Sequence, residues 1–548
     1  MTTATLSPAR ATGPARPHTG TGTLVRLMLR RDRIKLPLWI AGLGLYVLYI
    51  GAALPALAAT KQELGAIVPL LQQPVGRMFT GPAYGLDAPT YARVFASGYA
   101  LYLLLIAALM NIMLISRHTR VEEQSGRAEL VRANVTGRHA SLTAALIVAV
   151  IANVLGAAIV SLLAVVAIDF PITGSVILGV GVGLVGMAFA GITAVTVQLS
   201  AFSRTAAGMA GVVLGASFLL RAVGDMAAIG GSGPSWASPL GWVAQTAPYV
   251  LDRWWPLLLL AGLAVLTIVL AFVLQARRDL GAGLLATRPG RPQASRSLGT
   301  PWGLAARLQR SPALAWGVAI TVLGVVDGAF TQVMIDSVDD LPPTLKEIFG
   351  ASSLVDGYIG FLAVLIGYLT GAYVVYAVQS LRAEEKAGRA ESVLATPTGR
   401  TAWAGAHHLV IAVSASVIML VAGLLTGVAA GIVTSDWSLV ADAVVAHLNM
   451  IPAVLVVLGV SALLHGWAPA LLAPVGWALV AVMVFVGNFA ALLDLPEWVS
   501  QISPLSHPAQ YPSESIEAAP LLVLAAICAA GVALGLIGLR RRQIVGRS

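Results

Sequence analysis

Twice in this sequence a charged run interrupts long apolar stretches: RVEEQSGRAELVRANVTGR, Arg120 to Arg138, and RAEEKAGRAESVLATPTGR, Arg382 to Arg400. Glutamates and arginines packed this densely suit recognition of another surface, and no catalytic constellation stands beside them. If the first run is helical, Glu122, Gly126 and Glu129 are spaced i, i+4, i+7 and share one face. Glycine at the centre of that face lets another backbone approach closely. Glu123 sits beside it, and Arg120, Arg127 and Arg132 flank it. The second run repeats the set as Glu384, Glu385, Gly388, Arg389 and Glu391. For one copy, a solvated and self-paired loop would explain these charges. Two copies at matched places favour a docking surface for a two-fold partner.

Other chemistry is thin. The chain has no G-x-x-x-x-G-K-[ST], and its four lysines, 35, 61, 346 and 386, follow no glycine-rich loop. A P-loop needs that lysine on the phosphates, so the chain is not expected to hydrolyse ATP, hold a cofactor or act as an enzyme alone. His407-His408, His447 and His465 lack convergent metal-site spacing and suit span ends. Asp339-Asp340 falls in an outer loop and reads as solvated. The single cysteine, Cys528, lies in an apolar run and reads as an inert buried thiol.

The surrounding elements must be membrane helices. The 548 residues are 57% hydrophobic and only 11% charged, with mean hydropathy +0.84. Soluble domains carry about 25% charged residues, so the solvent here is mostly lipid. A net charge of +9 could suggest nucleic acid. The basic residues are scattered over short loops, however, and no basic face forms. The first apolar run is too long for a cleavable signal and stays as an anchor. Twelve spans are expected, with edges near 36–59, 94–116, 141–168, 174–199, 205–224 and 256–275. The second six lie near 313–334, 357–379, 405–432, 441–464, 469–491 and 518–539. Placing the N-terminus inside puts 28 of the 34 Lys and Arg, and only eight of the 25 Asp and Glu, on the cytoplasmic side. This bias sets the orientation, with both termini and both charged runs cytoplasmic.

The charged runs match at 12 of 19 positions when shifted by 262 residues. SPLGWVAQ from Ser238 is echoed by SPLSHPAQ from Ser503, and Arg30, Arg33 and Trp39 by Arg307, Arg310 and Trp316. The chain therefore reads as two fused six-span copies. An even number of spans makes the copies parallel, related by a pseudo-two-fold axis along the membrane normal. The fold class is thus an all-α polytopic membrane protein of twelve helices in two parallel repeats. Residues 1–22 read as a disordered cytoplasmic tail, 23–275 as the first half, 276–301 as a cytoplasmic linker and 302–548 as the second half. Basic amphipathic stretches, TLVRLMLRRDRIK and WGLAARLQRS, precede each half and suit helices on the inner leaflet.

The pattern Arg-x-Glu-Glu-x-x-Gly-Arg-x-Glu followed by VLATPTGR resembles the inner-loop signature of ABC-2 type exporter permeases. The fused twelve-span form, with ARRDLGAGLL at the joint, is similar to actinobacterial permeases of the tetronasin type, described as exporters of polyketide antibiotics and other drugs. The resemblance covers essentially the whole chain. It implies that the segment between spans two and three is a coupling helix docking on an ATPase subunit. Carried over, the docking residues are Glu122, Glu123, Gly126, Arg127 and Glu129, and Glu384, Glu385, Gly388, Arg389 and Glu391. It also implies two copies of a separate P-loop ATPase that bind ATP and Mg, a hydrophobic small-molecule substrate, and a plasma (cell inner) membrane location. The second copy matches better, because Ala133-Asn134-Val135 departs from Ala395-Thr396-Pro397. The Pro- and Trp-rich regions 225–255 and 494–515 would be outer segments dipping part-way into the membrane.

In that family spans two and five line the central path. This points to Phe95, Tyr99, Tyr102, Asn111 and Phe218 in the first half, and to Phe361, Tyr368, Trp477, Phe485 and Asn488 in the second. Each could equally face lipid or pack. Charges within spans are few, namely Arg221, Asp327 and Asp442 near outer ends, which favours ATP coupling and an oily substrate over a proton relay. A secondary proton-coupled multidrug transporter, a membrane lipid-modifying enzyme and a non-transporting scaffold are the alternatives. The small residues of GVGVGLVGMAFAG are expected to pack helices closely.

Overall fold

The computed structural model describes residues 17–132, 136–279, 281–285, 292–336, 354–490 and 496–543. Most of the expected tail, part of the joint, Ala133-Asn134-Val135 and Asp339-Asp340 lie outside the described residues. Described residues form helices and loops, with no strand among them. The chain divides into two compact units, Met1–Pro289 and Gly290–Ser548.

In unit 1, an 11-residue helix α1 (Thr21–Arg31) precedes α2 (Lys35–Leu57). A run of shorter helices, α3 (Lys61–Gln72), α4 (Pro74–Phe79) and α5 (Tyr91–Gly98), leads into α6 (Ala100–Ser116). A π-helical turn, Arg117–Val121, carries α6 on into α7 (Glu122–Gln124) and then α8 (Arg127–Arg132). Long helices α9 (Ala140–Val166), α10 (Ile172–Leu199) and α11 (Ser203–Ala227) follow. Two short helices, α12 (Gly233–Trp236) and α13 (Pro239–Ala244), precede α14 (Pro256–Ala276).

Unit 2 runs α15 (Pro301–Ala329), α16 (Thr331–Asp336), α17 (Leu354–Lys386), α18 (Arg389–Leu394) and α19 (Arg400–Thr434). It continues with α20 (Ser438–Asn449), α21 (Ile451–Trp467), α22 (Leu472–Phe489), α23 (Glu497–Ser500) and α24 (Ala518–Arg541). Among the described residues, 11 helical stretches are long and apolar enough to cross a membrane. A shorter apolar stretch, Leu472–Asn488, falls at the eleventh of the twelve expected spans.

In unit 1 the most buried spans are α6 and α10, with the others packed around them. Apolar helices gain no hydrophobic drive from pairing in lipid, so close packing and shared hydrogen bonds must hold them. The glycines of α10 provide the packing: a Cβ at Gly183 would stand 3.0 Å from the Asn153 carbonyl of α9. A buried amide pair ties α6 to α9, with Asn111 and Asn153 exchanging bonds of 3.0 and 2.8 Å. Such a pair contributes about 0.6–2 kcal/mol in a bundle.

The end of α11 and the short helices beside it are closed by a buried ion pair. Arg221 and Asp225 meet at 2.9 Å, and Ser235 donates to Asp225 at 2.6 Å. Arg77 donates to the Asp225 and Met226 carbonyls, each at 2.6 Å. Arg77 of α4 and Ser235 of α12 therefore tie the end of α11 to the short helices beside it. Trp236 stacks on Trp255 with ring centroids 5.1 Å apart.

The stretches leading into the two units differ from the paired amphipathic helices expected. α1 is separate, and the chain turns at Asp32, whose carboxylate reaches 2.5 Å from both Arg117 and His118. In unit 2 the corresponding stretch is continuous with its span in α15. The register that matches Arg33 with Arg310 places Gln309 opposite Asp32. Gln309 stays within the helix and donates to Ser380 at 2.8 Å. The acid that pulls the chain aside in unit 1 is an amide in unit 2.

Candidate functional site

The repeated segments do not form one continuous acidic face. Helix ends at Gly126 and at Gly388, where φ is +73° and +71°. Glycine adopts this left-handed conformation without the Cβ clash that penalises other residues. The i, i+4, i+7 spacing therefore never becomes a helical stripe, and each glutamate has its own fate.

Glu122 bridges backwards and forwards. It meets Arg31 of α1 at 2.8 Å and Arg127 beyond the glycine at 2.9 Å. Glu384 repeats the second contact, reaching Arg389 at 2.6 Å. Hydrogen bonding to these carboxylates raises the pKa of Arg127 and of Arg389. Both arginines remain half-exposed at 50% and 58%.

Glu123 and Glu385 point inward. Glu123 takes Arg120 and Arg278, each at 2.6 Å. Arg120 is fully buried and also donates to the Val197 and Ala282 carbonyls at 2.6 Å. Glu385 takes Arg542 at 2.7 Å and His465 at 3.0 Å. Arg278 and Arg542 lie just beyond α14 and α24, the last span of each unit. The motif's final arginines reach the same places. Arg138 donates to the Ala276 carbonyl at 2.5 Å, and Arg400 to the Arg542 carbonyl at 2.7 Å. Each repeat is thus clamped at both ends to the close of its own unit. Nothing in the local pattern singles out Arg31, Arg278, His465 or Arg542 as partners. The visible signal is weak: an arginine cluster, ARRDL or LRRRQ, just past each last apolar run.

The third glutamates face out. Glu129 on α8 and Glu391 on α18 are exposed. Across α18, Ala390 is buried and Val393 and Leu394 pack on the core of unit 2. The short helix is seated by one side and displays Glu391 on the other. Each repeat presents a corner at the surface: a half-exposed Arg, an exposed Glu and a glycine turn. A Cβ at either turn would meet nothing within 4 Å.

The expected path residues scatter. Phe95 is fully buried and packs edge-on to Phe170 at 5.6 Å. Asn111 is held by Asn153. Tyr99 accepts from the Tyr46 hydroxyl at 2.9 Å through its carbonyl, and Phe218 lies under Arg221 at 5.1 Å. Tyr368 is buried with its hydroxyl against Gly487 of α22. Phe361 is half-buried on α17, and Asn488 donates to the Val484 carbonyl at 2.8 Å. Tyr102, Trp477 and Phe485 are the exposed ones. Of the span charges, Arg221 is paired, Asp442 accepts from Tyr511 at 3.1 Å, and the Asp327 carbonyl accepts from Tyr358 at 2.8 Å. His407 lies 2.8 Å from the Trp403 carbonyl, His447 lies 2.7 Å from that of Ala443, and His465 is used by Glu385.

A multi-pass helical architecture fits a membrane permease. The chain belongs to the family of multidrug efflux permeases. The family model described as the C-terminal domain of multidrug efflux system permease Rv1217c matches it twice, over residues 22–274 and 298–540. Over its full length the chain is similar to the multidrug efflux system permease protein Rv1217c of Mycobacterium tuberculosis. The two are 36% identical over 557 residues, covering 99% of this chain and 100% of the relative.

Proposed function

We propose that this permease is the membrane subunit of an ABC-2 type exporter, moving hydrophobic antibiotics and drugs out of the cell. Two copies of a separate P-loop ATPase, binding ATP and Mg, dock on segments 120–138 and 382–400. The supporting observation is the shared bracket: Glu–Gly–Arg turns that display Glu129 and Glu391 while Glu123 and Glu385 tie each segment to the last span of its unit. A push on the corner would pass through Arg278 or Arg542 into that span. ATP would close the motor pair and move both corners, and rigid-body motion would open a path outward. This reading counts α22 as a span, making twelve. About 17 residues at ~1.5 Å each nearly cross a ~30 Å hydrocarbon core. It also takes the units as parallel repeats in the plasma membrane, with both termini cytoplasmic. The name of the mycobacterial relative supports drugs as cargo.

The test is a double charge reversal, Glu129→Lys with Glu391→Lys. Both side chains are exposed, so stability should change by no more than about 0.5 kcal/mol. Co-purification with the co-expressed ATPase and vanadate-sensitive export should both drop by at least about tenfold, the scale of losing ~1.4 kcal/mol. If pull-down and export both survive, these corners are not where the motor binds.

A further inference from the structure

Unit 1 holds a cavity of about 290 Å³ where α2 begins, between that elbow, the end of α6 and the start of α11. Its apolar wall is Leu36, Trp39, Met110, Met113 and Leu114, with Ala207 of α11. Its polar end carries Lys35, Arg117, Arg204 and Asp32. The charges there do not cancel. Asp32 is already met by Arg117 at 2.5 Å, whereas Lys35 and Arg204 form no salt bridge among the described residues. Two positive charges therefore remain at the mouth of a cavity that is greasy within. Trp39 stands half-buried on the same wall, a residue type favoured where hydrocarbon meets headgroups.

We infer that this cavity is a binding site for one acidic phospholipid, its phosphodiester between Lys35 and Arg204 and an acyl chain along Trp39, Met110 and Met113. Charge complementarity selects the occupant. A zwitterionic lipid brings its own cation to a site already holding two, while an anionic headgroup neutralises them. Basic pockets between spans bind acidic lipid headgroups on this principle. Ordinary flanking charge does not account for the site. The registers that match Arg33 with Arg310, and Arg120 with Arg382, place Pro312 opposite Lys35 and Gln379 opposite Arg117. Unit 2 carries no cation at those two places. The inference does not rest on the ATPase reading.

Native mass spectrometry of the full chain in detergent tests it, titrating dioleoyl phosphatidylglycerol against dioleoyl phosphatidylcholine. The phosphatidylglycerol adduct should form selectively on the wild-type chain. Lys35→Gln with Arg204→Gln should weaken it about 25-fold, from ~1 kcal/mol per basic residue. Arg307→Gln with Arg310→Gln removes the same charge from unit 2 and should leave the adduct unchanged. Millimolar inorganic phosphate should not displace the lipid, because phosphate has no tail for the apolar wall. Equal binding of phosphatidylcholine, an equal loss in the unit 2 variant, or displacement by phosphate would each overturn the assignment.

Discussion

The two charged corners are near copies in sequence but differ in how firmly each is held. In unit 1, Glu123 sits between two arginines and Glu122 reaches back to Arg31 of a separate α1. In unit 2, Glu385 has one arginine and one histidine, and among the described residues Glu384 pairs with Arg389 alone. The backbone turn is the same in both. What differs is the number of full-time cations around it, and that number follows from residues outside the motif. The turn recurs in both corners, while the residues that hold it differ.

The largest effect should come from removing the inward glutamates. Breaking a buried ion pair leaves an uncompensated charge and costs about 3–5 kcal/mol. Glu123→Ala should cost more than Glu385→Ala. The first strands two guanidiniums that cannot be neutralised, whereas the second strands one guanidinium and an imidazole that can stand neutral. Unfolding in detergent, followed for both variants, measures this, and a larger loss at Glu385 would reverse the comparison. Next come the turns. Gly126→Val and Gly388→Val should each lose about 1–2 kcal/mol from the left-handed backbone. The two losses should match, since neither site has a neighbour for the new side chain to strike. Unequal losses would mean the corners are not the same device. Smallest is Arg31→Ala, worth about 1 kcal/mol or less at a partly exposed pair. It should leave Glu122 with one partner, as Glu384 has. Amide hydrogen exchange over 122–132 should then rise toward the rate over 384–394, while unchanged exchange would show that α1 does not brace the first corner.

Much of this molecule is legible locally. Runs of apolar residues overlap all eleven spanning helices, because the length of an apolar run is a property of the chain itself, but polar turns that stay helical are missed: the stretch Pro301–Asp336 starts well before its expected edge at 313. The α10 glycines do pack helices closely, since small side chains in lipid have few other uses. The acidic stripe fails for an equally local reason. Counting i, i+4, i+7 assumes an unbroken helix, and Gly126 ends it. Asn111 and Phe95 stand out in the sequence as polar or aromatic residues expected on span two, but Phe95 falls on the separate α5 and Asn111 on the well-buried α6, and both are consumed by packing. The knot of Arg221, Asp225 and Ser235 is invisible in the sequence because Asp225 lies just past the expected end of its span.

The sequence by itself determined that this is a multi-pass helical membrane protein and where its charged segments stand. It also determined that two glycines recur at matched places, because hydropathy and identity are read residue by residue. Only the tertiary structure decided which glutamate of each triplet faces outward. Glu123 finds Arg278 across 155 residues, and Glu385 finds Arg542 across 157. Those partners meet only once the last span of each unit has folded back against the fourth, α14 on α10 and α24 on α21. A carboxylate that finds a buried cation turns inward, and Glu129 and Glu391, seated on short helices past the turn, are left on the surface.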